Sequence, residues 1–328
     1  MLELSILIIS VLMALAYAYA NGINDAANAI ATVVSTRVLT PVLAIGMAAT
    51  LNLVGGLTGT AVAKTIGAGI IEPTGITQGT VMAAILASVV WVLVATRFGY
   101  PVSVSHSLVA GLVGAGLATG GVHVLIGSGL MKVLLALAFS PILGFIVGGL
   151  AMWSIYWLFR RTPPRTVSSL FGKLQILSAA FMAYSHGKND AQNAIGIIAL
   201  AWAVYYSQSL SVEIWMPVVC AAAISLGTAL GGWRVIRTLG MRVTYLRPVN
   251  GFAAETAAGA VIEAASAIGL PVSTTHTIST AIMGVGATRR LSAVRWGVTK
   301  DITLAWLVTY PFCFAVGWVL SLFLGIWL

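Results

Sequence analysis

Ten apolar segments follow one another along this chain, and most reach the ~20 residues that a helix needs to cross a lipid bilayer. Charged residues make up only 8% of the 328 residues and hydrophobic residues 59%, whereas soluble domains carry ~25% charged residues. The chain is therefore predicted to be an all-α polytopic membrane protein. The segments lie at about 4–36, 41–63, 79–97, 101–120, 133–159, 172–206, 214–236, 249–269, 271–288 and 302–327.

Two polar motifs of the first half return in the second half in the same order, 165 and 170 residues later. The first motif reads YANGINDAANA at 19–29 and YSHGKNDAQNA at 184–194. The second reads PVSVSHS at 101–107 and PVSTTHT at 271–277. Two motifs repeated at nearly one offset indicate an internal duplication.

The duplication divides the chain into a first transmembrane repeat at 1–159, a basic cytoplasmic linker at 160–173 and a second transmembrane repeat at 174–328. If each of five segments per repeat crosses once, the repeats have opposite orientations and nearly all Lys and Arg residues fall on the cytoplasmic side. An alternative count makes 101–120 and 271–288 re-entrant hairpins. The first count is favoured, because the alternative would move the basic cluster at 289–300 outside unless another segment changes too. It predicts inverted-topology repeats with broken or hairpin helices meeting at a midplane site, as in many secondary transporters.

The net charge of +9 does not indicate nucleic-acid binding, because the basic residues lie at segment ends, where they orient the spans. Segment 4–36 is longer than a span requires, since it would make a helix of ~50 Å against a hydrocarbon core of ~30 Å. We therefore predict a break at Gly22, and a corresponding break at Gly187 in segment 172–206. Broken helices are tolerated where the freed backbone lines a buried site.

Asp25 and Asp190 lie in apolar surroundings, where a carboxylate is costly and usually functional. Each has one Asn before it and another three residues after it. Carboxylate and amide oxygens suit a small hard cation such as sodium, although an Asp could also carry a proton and a lone Asn could simply join two helices. The flanking residues are Asn24, Asn28, Asn189 and Asn193.

The second motif predicts an anion site at the start of a helix. Pro101 and Pro271 suit a first turn, which presents free N–H groups and a positive dipole end. The hydroxyls that follow add neutral donors, or else bond back to their own helix. His106 and His276 could donate to the anion, relay protons, or be buried structural histidines. The hydroxyl residues are Ser103, Ser105, Ser107, Ser273, Thr275 and Thr277.

Two glutamates lie in the apolar segment 249–269. Glu255 lies deep enough to be a coupling residue, with an ion pair to a basic group such as Lys188 as the alternative. Glu263 is nearer the predicted outer end and is expected to be solvated.

These motifs resemble the inorganic phosphate transporter family of the phosphate permease type. The sequence GINDAANA, from Gly22, is similar to the family's repeated GANDVANA signature, and GKNDAQNA, from Gly187, is similar to its second copy. The resemblance covers nearly the whole chain. It implies symport of phosphate with sodium or protons on two inverted repeats, without enzymatic activity and with no cofactor beyond the co-transported ion.

The resemblance also implies roles for single residues. It makes Asp25 and Asp190 essential, places Ser103 and Ser273 near phosphate, and matches Glu255 to a functional glutamate. Lys64 stands where animal members have a glutamate, so no acidic role carries over to that position. The large hydrophilic loop of animal members is absent, which indicates a compact form in the plasma membrane of a prokaryote.

Three functions are weighed on these grounds. The first is a phosphate symporter, with sodium favoured over protons because the flanking asparagines look like a coordination shell. The second is a proton-coupled sulfate permease, and the third is a membrane enzyme acting on lipid phosphates. The expected partners are phosphate, sodium or protons, and the lipid bilayer, with no nucleic acid. The sequence leaves the oligomeric state open, a homodimer being one option.

Overall fold

The computed structural model describes residues 2–325, which are helical almost throughout and contain no strand, only one isolated bridge between Ile71 and Leu125. The predicted all-α class is confirmed. The helices are α1 Leu2–Ser35, α2 Pro41–Gly56, α3 Ala61–Ala68, α4 Gln78–Phe98, α5 Val104–Gly120, α6 Gly127–Leu158, α7 Pro164–Tyr206, α8 Trp215–Leu230, α9 Trp233–Arg237, α10 Pro248–Ala267, α11 Thr274–Ala287 and α12 Trp296–Gly325. The π-helical turn Thr238–Arg242 continues α9, and 3₁₀ turns lie at Pro73–Gly75, Gly121–Val124 and Leu291–Ala293.

Six of the described helices are long and apolar enough to cross a membrane: α1, α4, α5 with its following 3₁₀ turn, α6, α7 and α12. Two bent pairs of helices give as many as two further spans, if each pair crosses once. Helices α2 and α3 meet at 71°, and α8 meets α9 with its π-helical turn at 63°. The protein is therefore a multi-pass membrane protein. Its broken segments are 41–63 and 214–236.

The breaks predicted at Gly22 and Gly187 are wrong, because α1 and α7 run through both positions without interruption. Their 34 and 43 residues make helices of ~51 and ~65 Å, which must tilt or extend beyond a ~30 Å hydrocarbon core. Helix α7 already begins at Pro164, so most of the predicted linker at 160–173 is helical. The backbone of the motifs stays bonded inside the helices, and only their side chains are free to form a site.

Gly22 and Gly187 serve close helix crossings instead of breaks. A Cβ atom at Gly22 would lie 2.1 Å from the carbonyl oxygen of Ile224 on α8, and one at Gly187 would lie 2.4 Å from that of Asn52 on α2. Small residues allow this approach of backbones, which drives helix packing in lipid. Each long helix therefore packs against a bent helix of the other repeat.

Helices α4 and α5 form one hairpin, helices α10 and α11 form another, and their bases lie at opposite ends of α1. Ser10, in the third turn of α1, donates to Oε1 of Gln78 at the base of the first hairpin over 2.9 Å. Thr36, just beyond the end of α1, donates to Oε1 of Gln175 over 2.8 Å. Gln175 in turn lies against Gly251, at the base of the second hairpin. This opposition is the arrangement that inverted topology predicts.

Helix α11 is too short to cross a bilayer alone. Its 14 residues make ~21 Å of helix against a hydrocarbon core of ~30 Å. Its first turn, Thr274–Thr277, is buried inside the protein. Segment 271–288 therefore forms one arm of a hairpin with α10, and is neither a complete crossing nor a re-entrant hairpin by itself.

Substitutions on α7 test the crossing at Gly187. Gly187→Ala should lower the melting temperature, because its Cβ meets Asn52 backbone and overpacking costs ~1–3 kcal/mol. Gly172→Ala is the matched control, since nothing lies within 4 Å of a Cβ there and the change gains up to ~1 kcal/mol of helix propensity. Thermal unfolding in one detergent compares the two. Equal melting temperatures would contradict the crossing.

Candidate ion and substrate site

The two aspartates of the duplicated motif meet where α1 packs against α7. Asp25 and Asp190 are each 1% exposed. Nε2 of His186 lies 3.1 Å from Oδ2 of Asp190 and 3.9 Å from Oδ2 of Asp25. One ligand atom from each of these three residues lies within 4.8 Å of the other two. The structure thus brings together two carboxylates that stand 165 residues apart in the sequence.

The first turn of α11 hydrogen-bonds to both carboxylates. The hydroxyl of Thr275 donates to Oδ1 of Asp25 over 2.9 Å, and that of Thr274 donates to Oδ2 of Asp190 over 3.1 Å. Nδ2 of Asn28 donates to both hydroxyls, over 3.0 Å to Thr275 and 3.3 Å to Thr274. These chains of amide, hydroxyl and carboxylate fix the orientation of the two acids with neutral donors.

The first hairpin makes the corresponding contact with the other repeat. Nδ2 of Asn193 donates to the hydroxyl of Ser105 over 2.8 Å. Asn193 corresponds to Asn28, and Ser105 corresponds to Thr275. The same hydrogen bond therefore forms twice, each time from the asparagine of one repeat to the hairpin hydroxyl of the other. Such exchange is expected of two inverted repeats that face each other.

The amide oxygens of the motif asparagines lack hydrogen-bond donors. In four of the five asparagines the NH₂ group is used; Asn24, for example, donates to Thr96 over 2.8 Å and Asn189 to Ser266 over 2.7 Å. Within residues 2–325, neither amide atom of Asn21 has a partner. A buried acceptor without a donor costs ~1–3 kcal/mol, so a group of them next to carboxylates indicates a positively charged ligand. Within residues 2–325, the buried side-chain oxygens without a partner in the motifs are Oγ of Ser185 and Oδ1 of Asn21, Asn24, Asn28, Asn189, Asp190 and Asn193.

The hairpin helices α5 and α11 begin at Val104 and Thr274, three residues after Pro101 and Pro271, so the prolines precede the first turn in which the sequence predicts them. The hydroxyl of Ser103 accepts from the N–H of His106 over 3.3 Å, and that of Ser273 accepts from the N–H of His276 over 3.1 Å. The two serines are therefore N-caps. The first two N–H groups of each helix have no acceptor within the helix and mark its positive end.

Two predicted substrate hydroxyls bond within or between helices. The Ser107 hydroxyl donates to the carbonyl of Val104 over 2.7 Å and contacts Ser88 on α4. The Thr277 hydroxyl donates to the carbonyl of Ser273 over 2.8 Å. In this structure neither hydroxyl reaches the carboxylates.

The two predicted histidines stack against each other. The ring centroids of His106 and His276 lie 4.5 Å apart, His276 also stacks on Trp306 at 3.9 Å, and His106 packs on Tyr310 at 4.7 Å. Among the described residues, none of the four imidazole nitrogens has a hydrogen-bond partner. The pair joins the two hairpins to α12 rather than to Asp25 or Asp190.

Glu255 lies in a separate buried cluster. The hydroxyls of Thr32 and Ser178 donate to its carboxylate, and Nε2 of Gln175 donates over 3.2 Å. The alternative ion pair with Lys188 is wrong, because Lys188 lies ten residues beyond Ser178 on α7, which is ~15 Å along the helix.

Lys188 instead forms an ion pair with Glu263. The side chains are 19% and 29% exposed, so the expectation of a solvated Glu263 is also wrong. The pair joins α7 to the end of α10. It thereby holds the tip of the second hairpin against the long helix that carries Asp190.

A model of the phosphate transporter family matches residues 21–317. This chain belongs to the phosphate transporter family. It is 46% identical over 302 residues to a probable low-affinity inorganic phosphate transporter of Rhizobium meliloti, covering 91% of this chain and 90% of that protein. It is 41% identical to a probable low-affinity inorganic phosphate transporter of Bacillus subtilis, covering 97% and 96%.

The fold is also that of a solved transporter. A structure described as the sodium-dependent phosphate transporter has a TM-score of 0.92 and 27% identity to this chain, covering 99% of this chain and 100% of that one. The resemblance inferred from the motifs is confirmed. Because the family transports phosphate, the protein is not an enzyme, and the lipid-phosphate enzyme and the sulfate permease are set aside.

Sequence reasoning missed several residues of this family member's site. His186, which takes the place of Asn21 in the second copy of the motif, contacts both carboxylates, and its Nδ1 pairs with Oδ1 of Asn52 at 3.0 Å. Asn52 was detectable as an amide within the apolar segment 41–63. The sequence could not distinguish Thr274 from the neighbouring hydroxyl residues, because only the rotation of α11 decides which hydroxyl faces Asp190.

The ion pair between Lys188 and Glu263 is tested by a double-mutant cycle. Lys188→Gln should destabilise the protein by ~1–3 kcal/mol, since it leaves a half-buried carboxylate without its partner. Adding Glu263→Gln should restore most of that stability, because the unpaired charge is gone. Thermal unfolding of the four proteins measures the coupling. Additive effects of the two substitutions would rule the pair out as a contribution to stability.

Proposed function

We propose that this protein is a secondary active symporter that imports inorganic phosphate across the plasma membrane of a prokaryote, with sodium as the coupling ion. Membership of the phosphate transporter family supports the substrate. The similarity to a sodium-dependent phosphate transporter supports the ion. The proposal assigns sodium to the α1–α7 contact and phosphate to the first turns of α5 and α11.

The observation that carries the proposal is the excess of acceptors at the α1–α7 contact. Two carboxylates lie there, and seven buried side-chain oxygens of the motif residues have no donor within residues 2–325. Carboxylate and amide oxygens are the ligands that small hard cations take in proteins. Protons would not require neutral amide oxygens, whereas a sodium shell would. The ligands we assign are Asn24, Asp25, Asn28, Asn189, Asp190 and Asn193.

The proposed phosphate site uses neutral donors. Ser105 and Thr275 lie at the positive ends of α5 and α11, whose first N–H groups have no acceptor within the helix. In the structure both hydroxyls already contact residues of the cation motifs. A phosphate bound between these helix ends would therefore lie next to the cations that offset its charge.

Coupling follows from electrostatics. Asp25 and Asp190 repel each other at this separation, and a phosphate anion would be repelled by both. Cations bound between them offset this negative charge, so phosphate binding depends on cation binding. By linkage, each ligand raises the affinity of the other by the same factor. We assign a second coupling position to Glu255, which is linked to α1 by a hydrogen bond from Thr32.

Proton coupling is the second candidate, and the position of His186 favours it. This imidazole lies within reach of both carboxylates and could hold a proton in the place of a cation. The two candidates differ in one respect that can be measured: sodium should raise phosphate affinity at fixed pH only in the first.

The coupling prediction concerns the two aspartates. Asp25→Asn and Asp190→Asn should each abolish gradient-driven uptake of labelled phosphate into proteoliposomes, because a neutral amide cannot offset a cation. Asp301→Asn, at an exposed carboxylate of α12, is the matched control and should transport normally. Sodium and pH gradients are imposed separately. If phosphate affinity is equal in sodium and choline but rises as the pH falls, the coupling ion is the proton and the sodium assignment is wrong.

The substrate prediction concerns the helix starts. Thr275→Val and Ser105→Ala should each weaken phosphate binding by ~5-fold, which corresponds to ~1 kcal/mol for one neutral hydrogen bond. Thr275→Ser keeps the hydroxyl and should bind as the parent does. Equilibrium binding of labelled phosphate at saturating sodium measures the change. Unchanged affinity in both hydroxyl-deleted variants would move the substrate site elsewhere.

A further inference from the structure

A cavity of about 380 Å³ opens at the arginine-rich end of the molecule, at the base of the second hairpin. Its volume falls within the ~300–1,000 Å³ that small-ligand sites occupy. Four guanidinium groups converge on it from three separate parts of the chain. They belong to Arg247 at the start of α10, Arg289 and Arg290 after α11, and Arg295 before α12.

No carboxylate balances these four charges. None of the four arginines forms an ion pair within residues 2–325. Arg295 donates to the backbone carbonyl of Met241 over 3.2 Å, which leaves its charge uncompensated. The other residues around the cavity bring hydroxyl and amide groups and no acid: Tyr156, Thr244, Tyr245, Asn250 and Ser292.

The backbone adds to the positive potential. Arg247, the N-cap of the 20-residue helix α10, lines the cavity together with Val249 and Asn250 of the first turn. The start of a helix carries a partial positive charge, which favours an anion. The helix start and the arginine charges thus both make the electrostatic potential in the cavity more positive.

Membrane orientation alone does not require this arrangement. Basic residues orient spans when they lie in cytoplasmic loops, wherever their side chains point. The four arginine side chains are exposed but lie around one concavity, where an anion bound between them would relieve their mutual repulsion. Arginine also presents a planar fork that matches phosphate oxygens in pairs.

We propose that this cavity is an anion-binding site, separate from the central site, that takes a phosphate group from a lipid headgroup or from soluble phosphate. It lies at the opposite end of α11 from Thr274, ~21 Å of helix away. Tyr156 on α6 and Val285 on α11 both line it. A bound phosphate group would therefore tie the base of the second hairpin to α6. The inference does not depend on which ion drives transport.

Binding to purified protein tests the site in two arms. Calorimetry in neutral detergent, in choline buffer, measures inorganic phosphate. Native mass spectrometry counts retained phosphatidylglycerol, with phosphatidylcholine as the neutral lipid. Arg289→Gln/Arg290→Gln should weaken binding at least ~10-fold in one arm, since two charged hydrogen-bond donors are lost. Loss in the lipid arm identifies a headgroup site, and loss in the phosphate arm identifies a soluble ligand.

The matched control removes two charges from the same loop-rich end, at arginines that do not line the cavity. Arg161→Gln/Arg165→Gln should bind as the parent does in both arms. Arg289→Lys/Arg290→Lys keeps the charges that orient the protein but loses the forked geometry, and should also bind more weakly. It serves in place of the Gln variant should that variant fail to fold. Unchanged binding in both arms, or equal weakening in the control, would overturn the proposal.

Discussion

Two buried carboxylates from different repeats, placed within a few ångströms of each other, are the constraint on which the rest of the structure depends. Asp25 and Asp190 gain nothing from hydrocarbon and repel each other, so the protein surrounds them with neutral donors from α1 and α11. These donors do not satisfy every acceptor, because amide oxygens beside the acids remain without donors. That imbalance is the basis of the proposed coupling, in which cations or protons at this site favour the binding of an anion.

The repeats hold this site by packing across each other. Gly22 lets α1 approach α8, and Gly187 lets α7 approach α2, so each long helix is braced by the opposite repeat. The pairs Asn28 with Thr275 and Asn193 with Ser105 repeat this exchange at the site itself. Neither repeat contains a complete set of contacts. A movement of one hairpin therefore changes the surroundings of an acid that belongs to the other repeat.

The second repeat carries polar features that the first lacks. Glu255 stands where the first repeat has Ile85, and its partner Thr32 corresponds to Ile197. The arginine-lined cavity lies at the base of the second hairpin, and the ion pair of Lys188 braces the tip of the same hairpin. These differences concentrate charge on one of two otherwise similar hairpins.

The sequence by itself determined the class of fold, the duplication and the identity of the buried acids, because hydrocarbon admits so few polar residues that each one is informative. It could not decide where the helices break. Glycine at 22 and 187 permits both a break and a close crossing, and only the neighbouring helices α8 and α2 select the crossing. Nor could it pair Lys188 with Glu263, or aim His106 at His276, because those contacts depend on helix rotation and depth. Spacing along the chain indicates which residues lie on the same face of a helix, whereas tertiary packing decides which helices that face contacts.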